Sequence, residues 1–167
     1  MKCNTMKNSM KSISPWTVTA CLAVTAVFVF RCGLNLTALR YILFCWVLIA
    51  AGACDAATRE IPDSIHVAVL FVGLMGLHLL PALAGLLIVS LPFLIAALMT
   101  DGKIGGGDVK LMAASGFVLG VSGGITMMLW GLFTALVWNA AFGKGQKSLP
   151  LAPFLAFGGF MALLNIS

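Results

Sequence analysis

From Leu111 to Phe142 the chain carries no ionisable side chain. A run of that length exceeds the roughly 20 apolar residues that a helix needs to cross hydrocarbon. It is not alone: Leu83 to Met99 is uncharged, and so is Tyr41 to Cys54. Soluble domains carry about 25% charged residues. This chain carries 9%, with 61% hydrophobic residues and a mean hydropathy of +1.09. It cannot cover a water-facing surface, so its solvent is the bilayer. About six or seven spans would take up nearly all of the 167 residues. The expected fold is therefore all-α, a polytopic membrane helical bundle. Residues 1–15 are expected to form a cytoplasmic tail and residues 16–165 a single membrane-embedded domain. Any activity must then be built from helix ends and short loops.

The spans can be placed by their punctuation. Met1 to Ser14 is polar and holds Lys2, Lys7 and Lys11; an apolar run from Pro15-Trp16 to about Cys32 follows. It resembles a signal peptide in outline, but no A-x-A cleavage site follows it, and a retained first span is expected. Trp16 should lie at the interface. The second span is expected over Leu39 to Ala57. Pro62 then forces a loop, with Ser64 as a cap for the next helix. The third is expected over Ile65 to Leu80, with a turn at Pro81, and the fourth over Ala82 to Met99, kinked at Pro92. Thr100 to Gly107 reads as a loop. A short fifth span starts at Asp108 or Val109 and fades near Gly120. The sixth covers Gly124 to Phe142 and the seventh Pro150 to Leu164. The Gly116-x-x-x-Gly120-x-x-x-Gly124 spacing reads as helix packing.

Charge gives the orientation. With the N-terminus in the cytoplasm, Lys2, Lys7, Lys11, Arg59, Lys103, Lys110, Lys144 and Lys147 fall inside, and only Arg31 and Arg40 outside. That is the asymmetry expected of an inserted protein. The net charge of +5 is thus dispersed over helix ends, which argues against a nucleic-acid partner. The cysteines, Cys3, Cys21, Cys32, Cys45 and Cys54, form no C-x-x-C pair. They read as small apolar residues, with no disulfide, metal site or other cofactor expected.

The acids are few: Asp55, Glu60, Asp63, Asp101 and Asp108. Two of them abut long apolar runs. Asp55 ends the run from Tyr41, and Asp108 opens the run that reaches Phe142. Two spans separate them, so both return to one membrane face. Carboxylates at a helix centre cost about 2.5 kcal/mol or more and are functional suspects. Two of them side by side share one proton. One can then act as a general base on water while the other protonates the scissile group, which is aspartic-protease chemistry. The glycines ahead of Asp108 would let an extended substrate approach closely. Plainer roles compete: Asp108 as a helix cap, and Asp55 paired with Arg59 at i, i+4. Glu60 and Asp63 read as solvated loop charges and Asp101 as a turn residue. His66 and His78, near opposite ends of one span, read as interfacial or packing residues that cannot share a metal.

Gly105-Gly106-Gly107-Asp108 is a G-x-G-D motif, followed by Val109-Lys110-Leu111. Asp55-x5-Ile61-Pro62, with Arg59 inside it, is its partner, and Leu149-Pro150-Leu151-Ala152-Pro153 opens the last span. This set resembles the type IV prepilin peptidases, G-x-G-D intramembrane aspartic proteases, over about residues 41–164. The resemblance implies that Asp55 and Asp108 are the catalytic pair, with backbone support or substrate contacts from Gly105, Gly107, Lys110, Arg59 and Pro62. It implies a prepilin or pseudopilin substrate, cut at the cytoplasmic face of the bacterial inner membrane. Without a paired-cysteine region, the chain looks like the short, cleavage-only type of tight-adherence or conjugative pilus systems. Ala56 and Ala57 stand where that family commonly has polar or basic residues, Asp63 where Asn is frequent and Ala152 where Gly is. Two other readings stay open: a small proton-coupled transporter using the same acids as a relay, and a non-catalytic membrane partner in pilus assembly. Oligomeric state is not readable.

Overall fold

The computed structural model describes residues 15–33, 35–76, 78–99, 105–142 and 150–166. They form helices and turns, in the order α1 (Pro15–Cys32), α2 (Leu36–Thr58), α3 (Asp63–Leu74), α4 (Leu79–Met99), α5 (Gly106–Phe142) and α6 (Ala152–Ile166). No strand occurs among the described residues. By length and composition α1, α2, α4 and α5 can each cross a membrane, and α3 and α6 are shorter apolar helices. The chain is an all-α, multi-pass membrane protein.

Its helices enclose an apolar core and also leave many large apolar residues on the outside. Phe28, Phe44, Leu48, Leu111, Met112, Met127 and Leu155 are fully enclosed, while Leu80, Leu98, Phe30 and Trp16 are mostly exposed. In water such a surface would aggregate; in lipid it is the contact face. Asp101 and the basic residues Lys103, Lys144 and Lys147 lie outside the described residues, as do Lys2, Lys7, Lys11 and Cys3.

α5 decides the architecture. At about 1.5 Å per residue, a straight helix of its 37 residues would measure about 55 Å, against about 30 Å of hydrocarbon. It does not run straight. Gly120 has φ 71° and ψ −171°, a region that is essentially closed to residues with a Cβ. The contacts on either side show that the chain reverses there. In the first arm, Asp108 stands near Asp55 at the end of α2, and the Val118 carbonyl reaches Arg40 at the start of α2. In the second arm, Gly123 faces Ile166 and the ring of Trp138 meets that of Phe154. The second arm therefore returns to the end where the first arm began. α4 packs against both arms: its Gly85 backbone touches that of Gly116, and Val89 covers Gly124. The short fifth span and the longer sixth expected from sequence are these two arms, and Gly120, besides packing near Gly85 of α4, is the turn between them.

The reversal strands carbonyls at the end of the first arm. Arg40 covers one of them, its Nη2 donating to Val118 O at 2.7 Å, while Nη1 donates to Gly76 O in the turn between α3 and α4 at 3.3 Å. A cavity of about 190 Å³ opens beside it, lined in part by Tyr41, His78 and Pro81.

Several boundaries differ from the sequence expectation. α3 stops at Leu74 rather than Leu80, because Gly76 (φ +85°) turns the chain. Pro81 is not a turn: it lies in the first turn of α4, where its missing N–H would have had no helical acceptor. Pro92 does lie inside α4. The N-cap of α3 is Pro62, not Ser64, because Asp63 already has helical geometry.

Candidate active site

Asp55 lies one turn from the end of α2 and is buried, at 7% exposure. A lone carboxylate there would be costly, and the structure supplies a donor. The Ala152 N–H gives a hydrogen bond to Asp55 Oδ2 at 3.0 Å. Ala152 is the first residue of α6, so this N–H has no helical acceptor, and the helix dipole favours negative charge at that point. Gly52, one turn earlier, makes the approach possible: a Cβ there would come within 3.0 Å of Pro153 Cα.

Asp108 enters from the other side. It is the third residue of α5 and half-buried, and its N–H donates to Gly105 O at 3.0 Å. It stands close enough to Asp55 to feel its charge. Its Oδ1 is buried without a hydrogen-bond partner. It is not the N-cap of α5, since two helical residues precede it.

The residues around the pair fall into place unequally. Gly107 sits under the partner motif: a Cβ on it would lie 3.3 Å from Ile61 Cβ, so D-x5-I-P and G-x-G-D meet here. Gly105 is exposed, and a Cβ on it would lie 3.4 Å from Asp108 Oδ2. Pro62 holds the extended geometry that starts α3 (φ −61°, ψ 140°). Arg59 closes α2 in the left-handed region (φ 56°, ψ 24°), its N–H donating to Asp55 O at 2.8 Å. Lys110 Nζ bonds Asp63 Oδ1 at 2.8 Å in an exposed pair. That pairing corrects the reading of Asp63 as a loop charge, for it opens α3 and ties it to α5.

His66, expected as an interfacial or packing residue, is packed between α3 and α5. It is 7% exposed, and its Nε2 donates to Gly107 O at 2.9 Å. A carbonyl only accepts, so the proton is on Nε2. His78 lies at the opposite end, beside Arg40. The sequence signal for His66 was its position three residues after Asp63, on the face that Lys110 engages. Ala152 was missed because it contributes only backbone, though Pro153 behind it marks the first turn of a helix.

Two neighbouring carboxyl groups at one end of an apolar helical bundle make a candidate paired-carboxylate site in a membrane protein. Residues 42–140 match the type IV leader peptidase family. The chain belongs to that family. Among curated proteins it is similar to the prepilin leader peptidase/N-methyltransferase of Bacillus subtilis, 32% identical over 88% of this chain and 63% of the relative. It is similar also to those of Aeromonas salmonicida (31%, over 88% of this chain and 55% of the relative) and Pseudomonas aeruginosa (27%, over 98% and 62%). The chain thus spans less than two thirds of the length of these relatives. No solved structure matches it.

Proposed function

We propose that this chain is a prepilin leader peptidase in which Asp55 and Asp108 form the catalytic pair. The carrying observation is their apposition at one end of the bundle, reached from two helices, with Ala152 N–H on Asp55 and Asp108 Oδ1 left without a partner. Family membership and the printed names of the relatives support the same reaction.

The chemistry follows from the pair. One carboxylate takes a proton from water, which attacks the scissile carbonyl. The other carboxyl group first stabilises the developing oxyanion by hydrogen bonding, and a proton then passes to the departing amide nitrogen. Ala152 N–H holds Asp55 Oδ2, and Asp108 Oδ1, which has no partner in the protein, is left to meet water or substrate. The substrate class is a prepilin or pseudopilin, with a basic leader in the cytoplasm and an apolar helix in the bilayer. The location is the bacterial inner membrane, with the carboxylate end cytoplasmic, which brings the site to the leader.

The test is co-expression with a candidate prepilin, followed by gel shift and N-terminal sequencing. Wild type should cut. Asp55→Asn and Asp108→Asn should insert normally and lose cleavage by more than the roughly 10²- to 10⁴-fold of a single acid–base group. Full processing by either variant removes the pair from the mechanism.

A further inference from the structure

We propose that His66 is a positioning residue for Asp108, a role that rests on the peptidase reading and that no similarity assigns. The observations are local. α3 and α5 are joined at two points with matching spacing. Asp63 and His66 are three apart on α3, and Gly107 and Lys110 are three apart on α5. Asp63 bonds Lys110 at 2.8 Å and His66 bonds Gly107 O at 2.9 Å. Asp108 lies between the two anchored positions. Added to the packing of Ile61 on Gly107, the two bonds restrict both the rotation and the height of the first turn of α5.

The two bonds are not equal. The Asp63–Lys110 pair is exposed, at 78% and 62% of side-chain area, and such pairs contribute at most about 1 kcal/mol. The imidazole is enclosed. Its Nδ1 is buried with no hydrogen-bond partner and stands 3.8 Å from Asp63 Oδ1. A leucine would fill this space without an orphaned nitrogen. The feature that distinguishes histidine here is the Nε2–H, and its acceptor is the carbonyl immediately before Asp108. Ile61 presses on Gly107 from the neighbouring loop, so the turn is held by a bond on one side and by contact on the other.

Glutamine separates a positioning role from packing, because its terminal amide can donate near the Nε2 position, while leucine fills the volume without donating. The first measurement needs no substrate: the rate at which dicyclohexylcarbodiimide modifies Asp108 in detergent-solubilised protein, read by mass spectrometry. The second is kcat and KM on a synthetic prepilin peptide spanning the leader and the start of its helix. In His66→Leu the modification rate should shift at least about threefold and kcat should fall about 10- to 100-fold with KM within about twofold, since misplacing a group by 1 Å costs about 10²-fold. His66→Gln should restore both. Equal behaviour of the two variants, whether both intact or both impaired, overturns the proposal. If the peptide is cut by neither wild type nor variant while the Leu–Gln difference in Asp108 modification holds, the positioning stands and the peptidase reading falls.

Discussion

At the scale of single residues, several groups of the site satisfy one another, while Asp108 Oδ1 and His66 Nδ1 keep no partner. Asp55 is buried, and Ala152 lacks a helical acceptor. Gly107 lacks a side chain, and Ile61 occupies its place. Arg59 is different, because it carries strain. It holds φ 56° with a Cβ, a conformation in which glycine is the usual helix-ending residue. Arg59→Gly should raise stability by about 0.5–1 kcal/mol in a detergent unfolding titration. If the guanidinium also contacts substrate, the same variant will lose cleavage while gaining stability. A variant that gains stability and keeps full activity confines Arg59 to ending α2.

At the scale of elements, Gly120 is the position on which the most depends. The nearest atoms to a Cβ there are Pro81 O at 3.9 Å and Pro81 Cβ at 4.0 Å, so space is not the constraint. The backbone is. With ψ near 180° this is not the left-handed helical region that asparagine tolerates, so Gly120→Ala and Gly120→Asn should both destabilise, by about 1–3 kcal/mol. Equal stability of the Asn variant and wild type would mean that the turn relaxes at little cost. The reversal was partly legible in the sequence, because a run reaching Phe142 was too long for one crossing and the glycines offered a break. Which glycine turned was not legible, since all three in the small-residue spacing look alike until α4 is laid against them. All three lie against α4, through Gly85 or Val89, and Gly120 alone has a positive φ and makes the turn.

At the scale of the molecule, the protein has two polar ends with different work. One holds Asp55, Asp108, Asp63, His66 and Lys110; the other holds Arg40, His78 and the cavity. Placing the carboxylate end in the cytoplasm predicts opposite labelling of two exposed positions. In a cysteine-free background, Asn35→Cys should react with an impermeant maleimide from outside the cell, and Glu60→Cys only after the membrane is opened. Labelling of both from one side would contradict a bundle with these ends. The apolar runs, the shared face of the two aspartates and the pairing of their motifs could be read from the sequence because they depend on local composition and on an even count of crossings. The bonds from His66 to Gly107, Arg40 to Val118 and Ala152 to Asp55 could not. They join positions 41, 78 and 97 residues apart, and no local pattern encodes a long-range hydrogen bond to a carbonyl or an N–H.

The last of these bonds has a consequence for the order of events during synthesis. Asp55 leaves the ribosome 97 residues before the N–H that will hold it. At translation rates of about 5–20 residues per second, that is an interval of about 5–20 s. Through that interval the acid sits in a nascent chain with the donor not yet made, and it must wait in water, against the translocon, or protonated. A site arranged this way takes its settled form only once α6 has been made and docked against α2, so the carboxyl group and its donor come together late in folding.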